Sequence, residues 1–270
     1  MTVLGVPGAR LYYEVHGDGR TMLMIPGANG VTEGFRRAAE HLAAHYTVVL
    51  YDRRGFSRSQ LDGPQDYSRR LQTDADDARR LIEHVGDVPA VVFGASSGGV
   101  VALDLLTRHP EVVHTLVPFE PAAVLQLPDG QQWVAFFHEV YDLYREAGIE
   151  PAMRRFRQHA FPDADRQVMA RAPKNEANAS YWFEHELRQY PKVDLDLDTL
   201  ASRAERIMLA AGREARGYPS REVNVVLGSK LGLDVIELPG GHVGYLAYPA
   251  EFAHELLDAL TQGACGPKNH

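Results

Sequence analysis

Thiols, long apolar runs and an excess of basic charge are all wanting in this sequence. One of its 270 residues is cysteine, Cys265. A lone thiol closes no intrachain disulfide and supplies no cysteine-rich metal cluster, and it fits a reducing compartment. No apolar stretch reaches the ~18 residues a membrane-spanning helix needs, so no membrane span is expected. Lys and Arg number 28 against 36 Asp and Glu, a net charge of −8. Without a basic excess to displace phosphate counterions, nucleic acid is not an expected partner. The segment Met1–His16 has no basic region followed by an apolar core, so no secretory leader is expected and the expected location is cytoplasmic. Repeats and low-complexity blocks are also missing. What remains, 45% hydrophobic and 24% charged residues, is the composition of an ordinary globular domain.

Short apolar runs and amphipathic stretches alternate along the chain. Arg10–His16, Thr21–Ile25, Thr47–Tyr51, Ala90–Phe93, Val112–Phe119, Ile207–Ala211 and Asp234–Leu238 read as strands, most of them stopped by glycine or proline. Glu33–Ala44, Ser68–Val85, Gly98–Arg108, Ser220–Leu231 and Ala250–Leu260 carry apolar residues at three- and four-residue spacing and read as helices. Such alternation predicts a parallel sheet with helices on both faces. From Leu127 to Tyr190 the pattern is helical throughout, which predicts a helical cap (127–190) inserted into a core formed by 1–126 and 191–262. Residues 263–270 have no periodicity and read as a frayed tail.

Three loops at strand ends carry chemistry. Gly94–Ala95–Ser96–Ser97–Gly98–Gly99 follows a strand and opens a helix, the context in which a sharp turn lifts a serine hydroxyl to the sheet edge. The nascent helix also turns free N–H groups toward developing negative charge. Serine is a weak nucleophile at neutral pH and needs a base. His242, in Gly240–Gly241–His242–Val243–Gly244 after the last strand, has the right residue type and context. The loop Ile25–Pro26–Gly27–Ala28–Asn29–Gly30 can aim the Ala28 N–H at an acyl oxygen, with the Ser97 N–H as the second donor of an oxyanion hole. Gly27 and Asn29 are candidate substrate contacts beside it, and Trp133, Tyr181 and Trp182 of the helical segment are the candidate aromatic contacts.

These residues resemble those of serine hydrolases of the α/β-hydrolase superfamily over most of residues 1–262. Tyr51–Asp52–Arg53–Arg54–Gly55–Phe56–Ser57–Arg58–Ser59 is similar to that family's Asp-x-Arg-Gly-x-Gly-x-Ser segment, with Phe56–Ser57 in place of x-Gly. Pro26–Gly27 stands where many members have His-Gly. The resemblance implies an eight-stranded, mostly parallel sheet flanked by helices, with the helical segment as a lid. It also implies an acid for His242. The usual place, after the seventh strand, offers Glu214. The end of the sixth strand offers Glu120, the place used by zearalenone lactone hydrolases, and Glu120 is the expected acid with Glu214 as the alternative.

The function expected is hydrolysis of a carboxylic ester or lactone of a small, apolar or ring-bearing substrate, with no cofactor and no metal, by a monomer or homodimer. The alternatives are a C–C bond hydrolase or a cyclase or lyase using the same triad, and a slow-turnover ligand receptor. Other features read as structural. Asp194–Asp198 lacks the glycine of a calcium loop, His41 and His45 lie on an amphipathic helix, and Asp74, Asp76 and Asp77 read as a solvated, ion-paired face.

Overall fold

The computed structural model describes residues 2–86 and 88–263; Cys265 and all but the first residue of the expected tail lie outside them. One mixed sheet of nine strands organises the chain: β1 (Val3–Val6), β2 (Ala9–His16), β3 (Arg20–Ile25), β4 (Tyr46–Tyr51), β5 (Gln60–Leu61), β6 (Ala90–Ala95), β7 (Val113–Phe119), β8 (Leu209–Gly212) and β9 (Val235–Leu238). Eight follow the order β1-β2-β4-β3-β6-β7-β8-β9, and the two-residue β5 pairs with β2. The expectation of eight strands therefore holds along the path, with β5 as an addition too short to leave a periodic signal. β1 and β2 are an antiparallel pair joined through Pro7–Gly8, where Gly8 takes φ 75°. From β4 onward every neighbouring pair is parallel.

Burial explains the two kinds of strand. β2 lies toward the sheet margin and alternates between covered and open positions over much of its length. In β3, β4 and β6 the apolar run is buried on both faces, as parallel strands between helical layers must be. Alternate residues feed opposite cores. Met22 and Met24 face α1 (Arg36–Leu42) together with Phe35, Phe93, Phe119 and Phe252. Leu23 and Ile25 belong to the other core, which includes buried side chains of α2 (Arg70–Val85) and α3 (Ser97–Arg108).

Between β7 and β8 the chain forms α4 (Gly130–Ala147), α5 (Ile149–Ala160), α6 (Asp163–Arg171), α7 (Glu176–His185) and the short α8 (Leu197–Ala201). After β8 come α9 (Pro219–Leu231), α10 (Gly244–Ala247) and α11 (Pro249–Gln262). The aspartate run before α8 is explained locally: Asp196 accepts from the Thr199 N–H at 3.0 Å and caps that helix, while Leu195 is buried in the core. No described helix is long and apolar enough to cross a membrane.

Candidate active site

Parallel α/β sheets expose their functional loops at the carboxyl ends of the strands, and four such loops converge here. β3 runs into Gly27–Gly30, β6 into Ser96, β7 into Glu120 and β9 into the His242 loop. β3, β6 and β7 are immediate neighbours, so the first three loops are adjacent by topology alone.

Ser96 sits between β6 and α3 at φ 55°, a left-handed conformation costly for a residue with a Cβ. The turn is this tight because strand and helix nearly touch. A Cβ on Gly94 would lie 2.3 Å from the Gly98 carbonyl oxygen, and one on Gly98 would lie 2.1 Å from that of Ile25. Ser97 is the first residue of α3 and its N–H has no helical acceptor. Neither the Ser97 N–H nor the Ala28 N–H is taken by an acceptor among the described residues.

Glu120 also takes a positive φ, 45°, which turns its side chain off the end of β7. One carboxylate oxygen lies 2.7 Å from His242 Nδ1 and the other accepts the Gly212 N–H at 2.8 Å. His242 reaches this pair by lying over the end of β8: a Cβ on Gly212 would be 2.4 Å from the Gly241 carbonyl oxygen. Both Glu120 and His242 are buried, at 1% and 5% exposure. Glu214 is exposed in the turn after β8 and makes no side-chain hydrogen bond to His242. Of the two acids considered, the structure thus brings Glu120 to the imidazole and leaves Glu214 in solvent. Ser96 Oγ makes no hydrogen bond among the described residues. It shares one cavity wall with His242, and such bonds commonly close only when a substrate is bound.

That cavity encloses about 1070 Å³ between the strand ends and the helical segment. Gly27, Ala28, Asn29, Ser96, Ser97 and His242 line its floor. Of the aromatic contacts expected, Trp182 lines it, but Trp133 and Tyr181 do not. Trp133 stacks edge-on against Phe136 of its own helix. Tyr181 turns toward the core, with its ring 5.0 Å from that of Phe56 and its hydroxyl accepting from Arg70 at 2.7 Å. Phe137, Phe156 and Phe161 stand where those two were expected.

Three groups escaped the sequence reading. Asp165 of α6 is buried and accepts the backbone N–H groups of His242, at 2.8 Å, and Val243, at 3.3 Å. It ties the helical segment to the histidine loop, and burial pushes its carboxyl upward despite those two donors and the imidazole. The second group is a buried cluster. Arg53 is bidentate to Glu186, at 2.8 and 2.7 Å, bonds Asp74 at 2.8 Å, and donates to the Gly27 carbonyl at 2.8 Å. Arg70 joins Glu186 at 3.0 Å and Tyr190 donates to Asp74 at 2.7 Å. The third is Arg157 of α5, which lines the cavity. The expectation of a solvated, ion-paired aspartate face holds for Asp76, half-exposed and paired with Arg108 and His109, and is corrected for Asp74 and Asp77. Asp74 and Asp77 are each 1% exposed, because Arg53 and Arg54 of the Asp52–Arg53–Arg54 segment reach in to neutralise them.

Comparison with known proteins agrees with this architecture. A family model described as the alpha/beta hydrolase fold matches residues 20–189. Hydrolase YraK of Bacillus subtilis (strain 168) is 38% identical over 268 residues, covering 96% of this chain and 95% of its own. Zearalenone hydrolase of Bionectria ochroleuca is 24% identical over 257 residues, 94% of this chain and 95% of its own. The enol-lactonase from Burkholderia xenovorans LB400 superposes with a TM-score of 0.72 at 16% identity, over 96% of this chain and all of that one. With the family model spanning more than half of the sequence and a full-length relative at this identity, the chain belongs to the alpha/beta hydrolase family.

Proposed function

We propose that the chain is a serine hydrolase that opens a carboxylic ester or lactone through an acyl-enzyme. The observation that carries this reading is the buried 2.7 Å contact between Glu120 and His242 Nδ1, beside a serine on a strained strand-to-helix turn. In the proposed reaction Ser96 Oγ attacks the carbonyl carbon and its proton passes to His242 Nε2. Glu120 holds the ring in the tautomer that leaves Nε2 free to accept, and steadies the imidazolium that forms. The Ala28 and Ser97 N–H groups receive the oxyanion; each such donor typically contributes about 10²–10³ in kcat. His242 then returns the proton to the leaving alkoxide, which departs from an ester and stays tethered in a lactone. Water, deprotonated by His242, releases the acid and restores Ser96.

The helical segment 127–190 serves as the cap over this site, with Asp165 anchoring it to the histidine loop. The cavity's mainly apolar helical walls suit an apolar or ring-bearing substrate. The names of two similar proteins, zearalenone hydrolase and enol-lactonase, accord with a hydrolytic role and, for the second, with a lactone. The test is release of p-nitrophenol from a short-chain ester by wild type and by Ser96→Ala. Turnover by the wild type that vanishes in the variant is expected. A folded wild type with no turnover, or a variant that keeps it, overturns the reading.

A further inference from the structure

The cavity is not uniformly apolar. On α5 the face carrying Ile149, Met153, Phe156 and Ala160 also carries Arg157, and all five line the space above Ser96. Arg157 is half-buried, and its guanidinium has no hydrogen bond and no ion pair among the described residues. The other charged groups on this wall are paired or exposed, Glu33 with Arg36 at 3.0 Å and Glu176 open to solvent. Arg58 is held by Asp52 at 2.7 Å, and Lys174 by Glu150 at 2.9 Å. Glu186 is matched by Arg53 and Arg70, while Arg37 and Arg171 stand exposed at the rim. Glu150, the acid that acts on Arg157 from a distance, is exposed and already engaged by Lys174. Loss of water outweighs that attraction and lowers the Arg157 pKa, yet an arginine remains charged at neutral pH.

A partly desolvated cation without a counter-ion is costly unless something completes it. The last turn of α5, where Arg157 sits, offers it the negative end of the helix. That interaction needs no cavity and leaves the five guanidinium donors open. Resting on the ester or lactone hydrolysis proposed above, we infer that Arg157 is the recognition site for a free carboxylate on the substrate, separated from the scissile bond by an apolar spacer. The planar fork suits a carboxylate, which it can hold with two parallel hydrogen bonds. A phosphate dianion would call for more than one available cation, and among the described residues the buried wall has one unpaired arginine. The substrate class is then a half-ester or a carboxylated lactone, and its hydrolysis product from a half-ester is a dicarboxylate.

The experiment is equilibrium binding by calorimetry in the Ser96→Ala protein, so that neither probe can turn over. The probes are 4-phenylbutyrate and its neutral counterpart 4-phenylbutyramide. A charge-assisted bidentate contact should favour the acid by about tenfold or more. Arg157→Met and Arg157→Gln should bring the acid-to-amide ratio to about one, and Arg157→Lys should retain part of the preference. A merely structural role at the helix end would alter stability without moving that ratio. The inference is overturned if the Ser96→Ala protein does not discriminate, whether it binds both probes alike or neither, or if the preference survives in both folded neutral variants. Since binding is read without turnover, this result stands apart from the p-nitrophenyl ester test: either can fail while the other holds.

Discussion

Two of the places where charge is buried in this molecule are balanced differently. In the cluster beneath the Gly27 loop, Arg53 and Arg70 face Asp74 and Glu186, two cations for two anions, with the hydroxyls of Tyr181 and Tyr190 filling further positions. Around His242, Glu120 and Asp165 place two carboxylates against one imidazole. The first arrangement is complete as it stands and fixes core, helical segment and Gly27 loop to one another. The second has no fixed cation among the described residues, and in the proposed reaction the imidazolium supplies one at the moment Ser96 attacks. Placement of the counter-charge thus separates a structural assembly from one suited to moving a proton.

Removing charge from each place should expose that difference. The largest effect is expected at the histidine. Glu120→Gln should lower kcat by about 10⁴-fold while leaving the protein folded, since the amide can present the wrong hydrogen-bond partner to Nδ1. Glu214→Gln should leave kcat unchanged, and steady-state kinetics on the short-chain ester read both. Loss of activity in the second variant and not the first would move the acid to Glu214.

In the balanced cluster the loss should fall on stability. Arg53→Met leaves Asp74 and Glu186 sharing a single guanidinium and should cost about 3–5 kcal/mol in urea unfolding. Adding Glu186→Leu removes the surplus anion, so the double variant should be less destabilised than the sum of the two singles. Strict additivity would show that the four residues do not act as a unit.

The smallest effect is expected where the two themes meet, at Asp165. Burial raises its carboxyl above the ordinary value, so its contribution to folding is fully present below that value, near 3.8. It is lost as pH rises through the raised one. Asp165→Asn should therefore compare better with wild type in melting temperature at neutral pH than in acid. Its amide can accept only through one oxygen, so kcat should fall modestly, by about tenfold, as the histidine loop loosens. A variant whose melting temperature tracks wild type at every pH would show that Asp165 carries no such cost.

Much of the site was legible in the sequence because turn chemistry is local. Ser96 and His242 each announce themselves through glycines within two residues, and the strand-before, helix-after context supplies the rest. The fold followed from alternation in the same way, with β1 and β5 not read as separate strands because four and two residues show little period. The aromatic side chains were harder. Trp133, Tyr181 and Trp182 have equal standing as sequence, yet only Trp182 lines the cavity, because helix rotation decides which face a ring occupies. Asp74 and Asp77 of α2 misled for a related reason, since a carboxylate on a helix reads as solvated until a guanidinium from another segment is brought to it.

By itself, then, the sequence determined the order of strands and helices, the strained serine turn and the histidine loop, all set by conformational preferences acting over a few residues. Tertiary structure decided which glutamate meets the imidazole across 122 positions, that Asp165 anchors the histidine loop across 77, and that Arg53 finds Glu186 across 133. It also left Arg157 lining the cavity with no ion pair among the described residues. Those outcomes depend on burial and on which charges the folded chain brings within hydrogen-bond distance, and neither quantity exists until the sheet and the helical segment have come together.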